Sequence, residues 1–89
     1  MAVHATTWAM SVKVDDPVER LVLLGIAECV GEDGAGYVSG WIPGFACVSP
    51  EQVQATVAVL ASAGALERLG EHPRGQLVRL NLDWEGTPG

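Results

Sequence analysis

Residues 49–64 constrain this chain more than any other stretch, because they carry a helix start, a helix stop and one apolar stripe. Ser49 is a helix N-cap, Pro50 suits the first helical position, and Gln52 sits at capping-box spacing. Val53, Val57, Leu60 and Ala61 recur at helical spacing and form one buried stripe. Gly64 closes the helix as a C-cap. The opposite side of this helix is almost uncharged.

Two neighbouring regions frame that helix. Asp15-Asp16-Pro17 punctuates the chain, with Asp16 as a cap, Pro17 in the first turn and Glu19 near the positive helix end. The spacing predicts a helix over 17–30, apolar nearly all round in its second half and therefore central. After Gly64, residues 66–69 and 76–84 read as a hairpin with its turn at 70–75. Val78, Leu80, Leu82 and Trp84 alternate there with Arg79, Asn81 and Asp83, the pattern of a half-exposed strand.

The remaining segments are less explicit. Residues 3–14 predict a strand or extended arm, with His4, Thr6, Trp8, Met10, Val12 and Val14 on one face. Residues 31–36 are a loop by composition, and Tyr37-Val38 a short strand. Residues 39–47 form a poor second helix, interrupted by Gly40, Pro43 and Gly44; Trp41, Ile42, Phe45 and Val48 read as core. Residues 85–89 read as a frayed tail.

Eighty-nine residues predict a single domain over 1–89 with one modest core. The order is arm, helix, short strand, weak helix, capped helix, hairpin. That is an α+β winged helix-turn-helix: three helices, a C-terminal β-hairpin wing and an N-terminal strand or arm.

The chain resembles small winged helix-turn-helix proteins of phages and mobile elements of high-GC (actinobacterial) bacteria. A Trp-bearing N-terminal segment (Trp8) precedes Val18-Glu19-Arg20-Leu21-Val22-Leu23-Leu24-Gly25-Ile26-Ala27. The acidic Glu32-Asp33-Gly34 loop follows, and later a Ser-led helix ending in Ala63-Gly64-Ala65-Leu66. The resemblance spans residues 8–82 and implies regulatory binding of double-stranded DNA. Family members place Arg or Lys early in the third helix; Glu51, Gln54 and Ala55 stand at those positions here.

Charge narrows the functional reading. The net charge of −6 opposes non-specific binding to DNA or anionic membranes. Residues 15–33 hold six acids against Arg20 alone, whereas residues 64–82 hold Arg68, Arg74 and Arg79 against Glu67 and Glu71. DNA contact would therefore use Gln52, Gln54 and Thr56 on the capped helix and Arg68, Arg74 and Arg79 on the wing. Gln54 can pair with adenine, and Arg74 at the hairpin tip can meet a phosphate or a minor groove. The alternative is a winged helix serving as a protein-interaction module for a host or phage protein, or as a homodimer. Its surface would be Ala55, Ala58, Val59 and Ser62, with Trp8 as an aromatic anchor.

Other chemistry finds little support. Cys29, Cys47, His4 and His72 lack the close spacing of a metal site, and Glu32-Asp33-Gly34 lacks the alternating carboxylates of a calcium loop. Ser39, Ser49 and Ser62 lack a His–acid constellation, and no Gly-rich phosphate loop follows a strand. The expectation is a non-enzyme without metal or cofactor. No apolar run approaches the roughly 20 residues of a bilayer span, and no signal peptide is evident. A cytoplasmic protein with reduced cysteines is expected.

Overall fold

A computed structural model describes residues 3–87 as an α+β fold. Four helices, α1 (Val3–Ser11), α2 (Pro17–Ala27), α3 (Ile42–Ala46) and α4 (Pro50–Ala63), accompany three strands, β1 (Ala35–Tyr37), β2 (Leu66–His72) and β3 (Gly75–Leu80). The sheet is antiparallel with the order β1-β3-β2. No helix among the described residues is long and apolar enough to cross a membrane.

The best-signalled helices form as their end residues dictate. The Ser49 hydroxyl accepts from the Gln52 amide at 3.1 Å, and Gly64 ends α4 in the left-handed conformation at φ 93°. The Asp16 carboxylate accepts from the Val18 amide at 2.8 Å and starts α2. Val53, Val57 and Leu60 of α4 meet Val22, Leu23 and Ile26 of α2 in one core, closed by Leu66, Val78 and Leu80 from the sheet. α2 is shorter than its apolar run: it ends at Ala27, with Glu28 as C-cap.

The N-terminal segment is a helix, not a strand. Ala5, Ala9 and Val12, with Trp8 beside them, repeat at helical spacing and face the core. Packing on that stripe overrides the strand preference of its β-branched residues. Met10, expected on a shared face with Trp8, is 65% exposed. Two distant segments hold α1 in place. The Arg20 guanidinium donates to the Ala9 and Val12 carbonyls at 2.8 and 2.6 Å, and the Trp8 indole donates to the Trp84 carbonyl at 3.1 Å.

Three further expectations change. The weak second helix does form, as α3, but is shortened from 39–47 to Ile42–Ala46; Pro43 is tolerated because it lies in the first turn, where no amide is needed. Cys47, left-handed at φ 60°, then turns the chain toward α4. β3 stops at Leu80, because Asn81 accepts from the Asp83 amide and donates to the Gly64 carbonyl, starting a turn. Leu82 is left exposed, and Trp84 reaches Trp8. The expected tail is docked where it is described. Gly86 bridges Lys13, and the Thr87 amide donates to the Lys13 carbonyl at 2.7 Å; residues 88–89 lie outside the described residues.

The hairpin turn is tighter than expected. Gly70, Glu71 and His72 belong to β2, leaving Pro73-Arg74 as a two-residue turn. The register slips between Arg68 and Gly70, so Leu69 is a bulge. Gly75 (φ 132°) follows the turn, and a Cβ there would approach the Val38 carbonyl to 2.7 Å. Only glycine allows that approach. His72, paired with Gly75, sets its ring 4.9 Å from that of Tyr37.

Candidate functional site

The outward face of α4 follows from which residues α4 buries. Val53, Thr56, Val57 and Leu60 occupy one side of the helix. At 100° per residue the opposite side is centred on Glu51, Ala55, Ala58 and Ser62, flanked by Gln54 on one edge and by Gln52 and Val59 on the other. All of these are exposed except Ala58, which is half-buried. Thr56 was expected to contact DNA, but it is buried and its hydroxyl donates to the Gln52 carbonyl at 2.8 Å. The inward stripe takes positions 53, 56, 57 and 60, so it is wide enough to include residue 56.

Gln54 and the base of the β2–β3 turn both adjoin Val38. Gln54 lines a groove of about 170 Å³ with Val38, Ser39, Pro43 and Pro50. Val38 is also the residue whose carbonyl lies against Gly75, directly after the Pro73-Arg74 turn. Its amide donates to the Gln76 carbonyl at 2.8 Å, so the groove and the base of the turn share one stretch of backbone.

The other cations lie elsewhere. Arg79 pairs with Glu67 at 3.6 Å and lines a separate cleft of about 330 Å³ beside Gly64 and Asn81, at the far end of the hairpin. Arg20 is spent on the end of α1. Among the described residues, Arg68 and Arg74 are exposed and pair with no carboxylate. The acidic side of the molecule is crowded: desolvation, then Asp16 and Asp15, hold the Glu19 carboxyl above its usual value.

Trp8, an interface anchor in the alternative reading and otherwise expected to pack with the C-terminal Trp, is half-buried and does pack edge-on to Trp84 at 6.4 Å, which leaves it spent on the tail. Two other aromatics, expected in the core, are instead 47% (Trp41) and 46% (Phe45) exposed. Their rings meet edge-to-face at 5.7 Å. Ile42 and Ala46 take the inner side of α3, which puts the aromatic pair outward. The only sequence signal for this was the four-residue spacing of the two rings, which places them side by side on a helix but does not say which way they face. Cys29 lies 3.2 Å from the Ser39 hydroxyl, and Cys47 is exposed; both are free thiols. Among the described residues no cluster of side chains is arranged to hold a metal ion.

No family model, curated protein or solved structure matches this chain.

Proposed function

We propose that this chain is a winged helix-turn-helix protein that contacts double-stranded DNA through α4 and the tip of the β2–β3 hairpin, with weak or dimer-dependent affinity. The observation that carries the reading is the convergence at Val38. Val38 lines the groove holding Gln54 and also abuts the turn that presents Arg74. A helix face and a hairpin tip on one side of a small body can enter a groove and meet the adjoining backbone. Gln54 would read a base edge; Arg74 would meet phosphate or the minor groove. The element order and the resemblance to small winged helix-turn-helix proteins of phages and mobile elements support a regulatory role in the cytoplasm. The reading needs no metal, cofactor or catalytic step.

Electrostatics sets its strength. With net charge −6 and two unpaired wing arginines, binding would be weak and release only about two counterions, so its salt dependence would be shallow. Glu51 near the α4 N-terminus opposes phosphate there. Amide shifts on titration with duplex DNA test the reading. Shifts at Gln52, Gln54 and Arg74 that shrink with salt are expected; a spectrum unmoved at low salt would refute it.

A protein-interaction role is the second reading, favoured by the exposed Trp41–Phe45 pair and the uncharged Ala55, Val59 and Ser62 surface. Aromatic anchors of this kind dominate protein interfaces. A host or phage protein captured by the wild type, and lost on Ala55→Glu, would support it.

A further inference from the structure

We propose that two copies of this chain pair through the free edge of β2, antiparallel, with Arg68 opposite Glu71 of the second copy and Glu67 opposite its His72. β2 is an outer strand of the sheet, and every one of its residues after Leu66 is exposed. Its outer backbone donors and acceptors are open to another strand. Charged side chains and a bulge usually keep such an edge from pairing. Here the same two features single out one register.

The charges read Glu67-Arg68-Leu69-Gly70-Glu71-His72. Turned end for end and laid beside itself about Leu69-Gly70, the strand sets base against acid at Arg68 and Glu71, twice over by symmetry. Glu67 and His72 then face each other, also twice. Shifting the axis to Leu69 sets Glu67 against Glu71; shifting it to Arg68 sets Arg68 against itself. Directly opposed unlike charges stabilise an antiparallel pair, and like charges destabilise it.

Side-chain direction gives an independent check. Opposed residues in an antiparallel pair point to the same face, and in a regular strand residues 68 and 71 would point to opposite faces. The bulge at Leu69 removes that conflict. Arg68 pairs with Val78 and Glu71 with Gln76, two residues on one face of β3; Glu67 and His72 pair with Arg79 and Gly75 on the other. The Arg68/Glu71 charge pair and the Glu67/His72 pair are therefore each on matching faces. The pairing stands whether or not the chain contacts DNA, since it uses neither Gln54 nor Arg74; it does take up Arg68, leaving Arg74 as the free arginine of the hairpin.

Sedimentation of the full chain up to millimolar concentration tests this with Arg68→Glu and Glu71→Arg, each first shown to be folded by circular dichroism. The wild type should dimerise. Each single reversal should weaken self-association about tenfold or more. Arg68→Glu carries acids at both positions and Glu71→Arg carries bases at both, so mixing the two should restore a dimer that neither forms alone. A wild type that stays monomeric, a single variant that dimerises as before, or a mixture that stays monomeric would each overturn the proposal.

Discussion

α4 and α1 are both helices of one small body, yet they come about differently. α4 carries its cap, its first-turn proline and its closing glycine within its own sequence. α1 has no acid in its first turn and no base in its last. Its C-terminal carbonyls are satisfied by Arg20 from α2, and its Trp8 is held by Trp84, 76 residues away. At nine residues α1 is also shorter than the roughly 12 that an isolated helix needs even to be marginal. α4 is specified locally; α1 is specified by what it docks against. Elements held by few distant contacts open before the rest of a domain does.

The largest expected effect tests the shared core. Leu60→Ala removes a fully buried side chain where α4 meets α2 and the sheet. It should cost about 2–5 kcal/mol and lower the denaturant midpoint of the whole domain. A loss confined to α4 amides in hydrogen exchange would show that α4 is less integrated than its burial implies.

Arg20→Met comes next and separates the two helices. It keeps the aliphatic stem but leaves the Ala9 and Val12 carbonyls without their charged donor. A hydrogen bond to a charged group is worth about 1.5–3 kcal/mol. Protection should fall mainly across α1, with α4 amides little changed. Ser49→Ala is the counterpart in α4 and should cost about 1 kcal/mol, because one cap bond at 3.1 Å is lost while the rest of the helix signal stays. If Ser49→Ala proved the more damaging of the two, the contrast between borrowed and built-in ends would be reversed.

The same contrast explains which parts were legible in the sequence. α4, the start of α2 and the hairpin could be read because Ser49, Pro50, Gly64, Asp16 and the alternation around Val78 act on their immediate neighbours. α1 could not. Its alternating, β-branched residues suit a strand, and the helical stripe Ala5–Ala9–Val12 prevails only once α2 is present to receive it. Thr56 was misplaced because a hydroxyl looks solvent-facing, yet it can satisfy itself one turn back and be buried. Trp41 and Phe45 were misplaced because a five-residue helix carries too few positions to reveal its inner side. For the candidate site, Gln54 and Arg74 were identifiable as types, but the contact of Val38 with the residue after the turn depends on Gly75 letting two backbones meet.

The smallest expected effect carries the most functional information. Val59 is 53% exposed on the edge of α4 away from Gln54, so Val59→Glu should change stability within about 0.5 kcal/mol. Its consequences for binding diverge between the two readings. A second acid on the same helix, about two turns from Glu51, repels phosphate through the general field, so DNA binding should weaken and lose more affinity at low salt than at high. A protein partner seated on Ala55, Val59 and Ser62 would instead lose an apolar contact and bury an unpaired charge, a penalty that added salt does not relieve. Measuring the Val59→Glu loss at two salt concentrations thus tells an electrostatic surface from an apolar one. A loss that vanishes at high salt belongs to the DNA reading, and one that persists belongs to the interaction reading.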